Sequence, residues 1–263
     1  MIELPFLDRD GRVTPPPRRR LLDEFRAVLT PRPKLAALPA LQRAPRGDGH
    51  PVFVLPGFLT NDGRTRHLRL FLGRLGYAVY GWGMGVNWGP TDRALATIER
   101  RLHEIHRQHG RKVTLVGHSL GGVLARDLAK KFPQEVRQVV MLGSPAKLPT
   151  ATSLDVFFRL LARFHRQALG ADLAEINRPP PASIPVSALY TRDDGIVAWE
   201  SCLEAPGPQR ENIEVRGEHS TLPTNPQVLL VLADRLAQPE GSWRPYDRRA
   251  LHRRVPGEGA ISS

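Results

Sequence analysis

Three residue types set far apart in this 263-residue chain could together break an acyl bond: a serine, a carboxylate and a histidine. The serine is Ser119, within the run VTLVGHSLGG at 113–122. A β-rich stretch ends on Gly117, and a helix-forming stretch, SLGGVLARDLAKKF, begins at the serine and stops at Pro133. Glycine weakens any regular element, so glycines two residues before and after one serine imply a need for room. A serine on a tight strand-to-helix turn is held in a strained backbone conformation and projects outward. Gly117 and Gly121 remove the side chains that would crowd it, and Gly122 lets helix and strand approach closely. Ser119 also stands where free N–H groups and the helix dipole favour developing negative charge. The pattern is the G-x-S-x-G nucleophile elbow, whose required context is strand–turn–helix.

Serine alone is a poor nucleophile; it needs a base, and the base needs a group to orient it. With an elbow of this kind the expected chain order is serine, acid, histidine. After the β-rich SALYT comes RDDGIV, where Asp194, next to Gly195, suits the acid and Asp193 is the alternative. After NIEVR comes GEHST, which places His219 in a loop ahead of the last helix. The developing oxyanion needs two N–H donors, each worth about 3–4 kcal/mol. By position Leu120 supplies one. The second is expected from Phe58, after the early strand in LPGF; Pro56 has no N–H to offer, and Gly57 permits the turn.

The other chemistry-bearing residues read more plainly. His103, His106 and His109 repeat every three residues on one helix without a cysteine or acid cluster, which reads as a solvated face rather than a metal site. His118, inside the elbow, is expected to pack rather than react. Cys202 is the one cysteine, so the chain can form no internal disulfide, and it reads as a small buried residue. Trp82 and Trp88 lie in GWGMGVNWGPTD, as pocket lining or as packing; that glycine-rich stretch lacks the G-x-x-x-x-G-K phosphate pattern.

The elements that must position these groups follow from periodicity. From residue 51, β-rich runs (PVFVL, YAVYGW, KVTLVG, VRQVVML, IPVSALYT, NIEVR) alternate with helical ones. Leu95, Ile98, Leu102 and Ile105 mark a helix over 91–109, and Asn225 followed by Pro226 marks the start of the last. This alternation predicts an α/β fold with a doubly wound, mostly parallel sheet. Three units are expected. Residues 1–50 form a Pro/Arg-rich extension with one amphipathic helix, 51–238 the α/β domain, and 239–263 a mobile basic tail. A cap insertion is placed at about 146–183. Within it Leu154, Phe157, Phe158 and Leu161 form an apolar stripe, either a core helix or a lid. In the extension Leu21, Leu22, Phe25, Val28 and Leu29 share a helix face, expected to pack on the outside of the domain; contact with a membrane surface through Arg18 to Arg20 is the second reading.

Composition bounds the classes. The net charge is +12, but 33 of the 38 basic residues are Arg and the excess is spread along the chain. With no nucleic-acid-binding motif, a nucleic-acid partner is not expected. No stretch approaches the roughly 18 apolar residues of a membrane span. The start, MIELPFLDRDGRV, carries acids and lacks an apolar core, so it does not read as a secretory signal, and the cytoplasm is the expected compartment.

Taken together, LPGF, GWGMGVNWGPTD, LVGHSLGG, LGSP, YTRDDGIV and GEHSTLPTNP resemble the α/β-hydrolase superfamily, and within it bacterial lipase- and esterase-like members. The resemblance covers about residues 50–237. Many lipases carry His-Gly where this chain has Pro56-Gly57. The resemblance implies a serine hydrolase with Ser119, Asp194 and His219 as its triad and Phe58 and Leu120 at its oxyanion hole. It implies a small helical cap and a small-molecule or lipid ester substrate with a medium or long acyl chain, lined by Trp88, Phe157, Phe158 and Leu161. That chemistry needs no cofactor and no metal. Acyl transfer to an alcohol by the same triad, or a non-catalytic scaffold binding a membrane or partner, are the alternative readings.

Overall fold

Side chains alternate between the two faces of a strand, and here that alternation builds two cores on one sheet. The structure, a computed structural model, describes residues 14–29, 38–147 and 177–247. Six strands are β1 (Pro51–Leu55), β2 (Ala78–Tyr80), β3 (Val113–His118), β4 (Val136–Leu142), β5 (Val186–Tyr190) and β6 (Arg210–Glu214). They pair in the order β2-β1-β3-β4-β5-β6, and every pairing is parallel. The helices are α1 (Arg18–Leu29), α2 (Leu38–Gln42), α3 (Arg66–Leu75), α4 (Asp92–His109), α5 (Leu120–Lys131) and α6 (Pro226–Leu236). Val52 and Val54 of β1 join one core with Leu68 and Leu72 of α3, Val228 and Leu232 of α6, and Ala40 of α2. Phe53 and Leu55 join the other with Ile98 and Leu102 of α4 and Leu124 and Leu128 of α5. Covered on both faces, β1, β3, β4 and β5 are buried along their whole length, as a doubly wound parallel sheet requires.

Local signals end the helices where they fall in the sequence. The Thr91 hydroxyl accepts from the Ala94 N–H and caps α4, whose far end turns at Gly110 in the left-handed region. The Asn225 side chain accepts from the Gln227 N–H, and Pro226 opens α6.

Three regions differ from the sequence reading. β2 stops at Tyr80 although the β-rich run continues to Trp82, because the Asp62 carboxylate accepts the N–H groups of Trp82 (2.8 Å) and Gly83 (2.7 Å) and draws the chain out of the ladder. Two residues of the apolar stripe of α1, Leu22 and Phe25, turn away from the domain at 65% and 67% exposed, whereas Leu21 is half-buried and Glu24 is buried. The carboxylate has found hydrogen-bond donors inside, and that decides which face turns in. The segment expected as a mobile tail is anchored over its first residues. The Tyr246 N–H donates to Glu211 (2.7 Å), and the Arg235 guanidinium lies over the Tyr246 ring. Most of the expected cap, including Phe157, Phe158 and Leu161, and the tail beyond 247 lie outside the described residues.

Candidate active site

The chain leaves β1 toward β2 on one side and returns to place β3 on the other, so the loops after β1 and β3 diverge at their carboxyl ends. That switch point is where sites form in open parallel sheets. Ser119 follows β3 with φ 52° and ψ −123°, a conformation that costs a non-glycine residue about 1–3 kcal/mol. Its surroundings leave no other choice. The Ser119 N–H donates to the Leu142 carbonyl (2.9 Å), and its carbonyl accepts from the Gly122 N–H (3.0 Å). A Cβ on Gly117 would overlap the Gly121 backbone, one on Gly121 the Leu55 carbonyl, and one on Gly122 the Ser144 side chain. The turn therefore closes only with glycine at all three positions.

The acid and the histidine come from the loops after β5 and β6. Asp194 is 2% exposed and His219 3%, and Asp194 Oδ2 lies 2.7 Å from His219 Nδ1. Asp194 Oδ1 accepts the N–H groups of Ile196 (2.9 Å) and Val197 (2.7 Å), which fixes the carboxylate. Asp193, the alternative acid, is exposed beside it. Burial disfavours a charged His219 ring. The Asp194 carboxylate, through its charge and hydrogen bond, and the Glu24 carboxylate outweigh burial and hold the pKa above the ordinary histidine value. With Nδ1 held by Asp194, Nε2 is the nitrogen left to exchange a proton.

The loop after β1 presses on the serine. A Cβ on Gly57 would stand 3.1 Å from the Ser119 Cβ, so Phe58, half-buried, begins the turn beside Ser119. Leu120 opens α5 directly after it. A buried asparagine that sequence reasoning passed over braces this loop. Asn87 Nδ2 donates to the Pro56 carbonyl (2.9 Å), its carbonyl accepts the Leu59 N–H (2.8 Å), and its own N–H donates to the Thr60 carbonyl (2.8 Å). Trp88, next in sequence, is 65% exposed on the rim, and Trp82 is packed in the α4 core.

The remaining histidines have separate partners. His118 Nε2 meets the His219 carbonyl (3.0 Å); burial first, then the charge of His219, push the His118 pKa down to about 3. His103 pairs with Glu135 (2.8 Å), His106 with the Arg111 carbonyl (3.0 Å) and His109 with the Tyr80 hydroxyl (2.7 Å), so this face is half-buried and partnered rather than merely solvated. Cys202 is buried, and burial pushes its thiol pKa up. Among the described residues no group of three His, Cys, Asp or Glu side chains could hold a metal ion. Glu24, unread in the sequence, accepts hydrogen bonds from the backbone of both the acid and histidine loops. Backbone donors carry no residue-type signal, so nothing in the sequence marked it.

A family model described as alpha/beta hydrolase fold matches residues 39–178, just over half of the chain. The chain belongs to the α/β-hydrolase fold family. No curated protein sequence matches this α/β-hydrolase at a significant level. Among solved structures it is similar to Aspergillus fumigatus lipase B, with TM-score 0.57 and 16% identity over 79% of this chain; it spans 56% of that lipase. It is also similar to Bacillus licheniformis lipase BlEst2, with TM-score 0.53 and 14% identity over 74% of this chain and 95% of that one. A pyrethroid hydrolase, PytH, matches with TM-score 0.51 and 17% identity over 73% of this chain and 99% of that one. At these identities the likeness is one of fold. Among the described residues no helix is long and apolar enough to cross a membrane.

Proposed function

We propose that this α/β-hydrolase cleaves carboxylic esters through an acyl-enzyme on Ser119. The observation that carries the reading is the buried Asp194–His219 pair, 2.7 Å apart, in the same end of the sheet as the strained serine elbow. His219 Nε2 takes the Ser119 proton as Oγ attacks the ester carbonyl, and the N–H groups of Phe58 and Leu120 receive the negative oxygen. His219 returns that proton to the departing alkoxide, leaving the acyl group on Ser119. Water then attacks and its proton passes to His219, which returns it to Oγ as the Oγ–acyl bond breaks, releasing the acid and regenerating Ser119. Asp194 keeps the imidazole in the required tautomer throughout. Two structures of similar fold are named lipases, and in this reading the ester carries an apolar acyl group, with Trp88, Phe157, Phe158 and Leu161 proposed as its lining.

Hydrolysis of p-nitrophenyl esters of graded chain length, by wild type and Ser119→Ala, tests the reading. Turnover lost in the variant, with a preferred chain length, supports it. No turnover at any length and no labelling by a fluorophosphonate overturns it. An added alcohol separates the alternative, since an acyl transferase yields a new ester instead of the acid. The exposed Leu22 and Phe25 favour a substrate presented at a lipid surface. Turnover of a long-chain ester in anionic vesicles should then fall in Leu22→Ser/Phe25→Ser while that of a dissolved short ester does not.

A further inference from the structure

α1 is a surface helix, yet it buries a carboxylate. Glu24 is 3% exposed. Its Oε1 accepts the N–H groups of Gly195 (3.0 Å) and His219 (2.8 Å), and its Oε2 accepts the N–H (2.8 Å) and hydroxyl (2.6 Å) of Ser220. These four donors belong to two separate loops. Gly195 follows Asp194 after β5, and His219 and Ser220 open the turn after β6. The contact is close on both sides: a Cβ on Gly195 would stand 2.5 Å from the Arg20 carbonyl of α1, and the Arg20 guanidinium donates to the Arg192 carbonyl.

We infer that Glu24 is a positioning residue of the active centre, a carboxylate brace that ties the acid loop to the histidine loop and so sets the Asp194–His219 contact. The inference rests on the proposed hydrolase reading and extends it to a segment outside the motifs that carry the family resemblance. Asp194 Oδ1 holds only its own loop, through Ile196 and Val197. The two loops leave different strands, and beside the Asp194–His219 contact itself Glu24 bonds the backbone of both. A buried carboxylate is costly unless its oxygens are bonded, and charge-assisted bonds to N–H groups are short and directional. The same charge also reaches the base. The groups facing His219 are Asp194 from the loop after β5, His118 from the elbow and Glu24 from α1; the two carboxylates favour the protonated ring against burial, and His118, held down to about 3, is neutral where His219 titrates.

The test uses the full chain with Glu24→Gln, which keeps the shape but removes the charge and turns an amide N–H₂ toward N–H donors, and Glu24→Asp, which keeps the charge and withdraws it by one methylene. Two readouts are taken: the His219 ring titration by NMR, and the pH profiles of kcat and KM on a p-nitrophenyl ester. In Glu24→Gln the His219 midpoint should fall, and the acid limb of kcat/KM should move to lower pH with it. On the alkaline plateau kcat should drop by about tenfold to a hundredfold, as displaced reacting groups do, with KM within about threefold. Glu24→Asp should restore the midpoint and recover part of kcat. If Glu24→Gln lowers only the melting temperature, leaving the His219 midpoint and kcat at wild-type values, Glu24 is a structural clamp and the inference is overturned. Should Glu24→Gln not fold, Glu24→Asp decides alone: kcat reduced at unchanged KM supports the brace, and unchanged kcat overturns it. If wild type cleaves no ester, the hydrolase reading fails by itself. The His219 midpoint then still decides the brace, a shift in Glu24→Gln supporting it and an unmoved midpoint overturning it.

Discussion

The sheet carries an Asp–His pair at each end, buried in both members at the carboxyl end, whereas at the amino end His50 is buried and Asp48 is exposed. At the carboxyl end Asp194 meets His219 Nδ1 at 2.7 Å; at the amino end Asp48 meets His50 Nδ1 at 2.5 Å, and His50 Nε2 meets the Thr114 hydroxyl at 2.9 Å. Written as residue types, hydroxyl–imidazole–carboxylate, the second set is as complete as the first. The surroundings separate them. Thr114 lies inside β3, fully buried, with neither a strained turn nor a helix start beside it. Ser119 stands at φ 52° on a strained turn beside the loop after β1, 8% exposed. Asp48 also bonds the guanidinium groups of Arg111 (2.6 Å) and Arg137 (3.1 Å), whereas Asp194 is held by backbone N–H groups. Burial, then the Arg137 charge, drives the His50 pKa down to about 4, while the carboxylates around His219 drive its pKa up. The two sets thus differ in the backbone that carries the hydroxyl and in the sign of the local field, not in composition.

The sharpest way to break this contrast is to remove each hydroxyl. Ser119→Ala should cost at least about 10⁵-fold in kcat, read on a p-nitrophenyl ester. Thr114→Val should leave kcat within about twofold and cost about 1–2 kcal/mol of stability, a fall of roughly 2–6 °C in Tm, measured calorimetrically. Equal losses of activity in both would erase the distinction. Next come the carboxylates. Asp194→Asn should lower kcat by about 10³–10⁴-fold, because the amide favours the wrong imidazole tautomer. Asp48→Asn should lower Tm by several degrees and leave kcat near wild type. The smallest effect is the dependence on pH, where the two histidines should act in different windows. His219 must be neutral to act as a base, and its pKa is raised, so kcat/KM should fall on acidification with a midpoint above about 6.5. His50 is depressed to about 4 in the folded chain. Between about 6.5 and 4 the unfolded chain therefore binds the extra proton, and stability is lost as pH falls through that window. His118, depressed to about 3, adds to this over the same window and onward to about pH 3. Activity should decay before Tm does, and His50→Gln should flatten the Tm profile while leaving the activity profile in place.

Much of the scaffold was legible because its signals are local. β1, β3 and β5 read as apolar runs because both of their faces are covered, and Gly110, Asn225 and Pro226 mark helix ends through their own chemistry. Ser119 stood out because three glycines crowd around it, each excluded from bearing a side chain by a backbone or side chain that approaches it closely. The supports were not legible. Glu24, Asn87 and Asp62 all bond to backbone groups, and a backbone N–H looks the same under every residue. At α1 the periodicity marked a helix that does pack on the outside of the domain, but it did not mark Glu24, which takes the buried place while Leu22 and Phe25 are exposed. A polar group with four waiting donors outweighs two apolar side chains left in water.

The bond from Glu24 to Ser220 also has a history in time. It spans 196 residues, one of the longest separations in the molecule. On a ribosome Glu24 emerges early, and the donors it will meet emerge only after nearly all of the sheet has been made. Closing so long a loop has an entropic cost that the intervening core must already have offset. The His219 loop can therefore meet Glu24 only once nearly all of the sheet has been synthesised, and a chain interrupted before residue 219 carries the Ser119 elbow without His219.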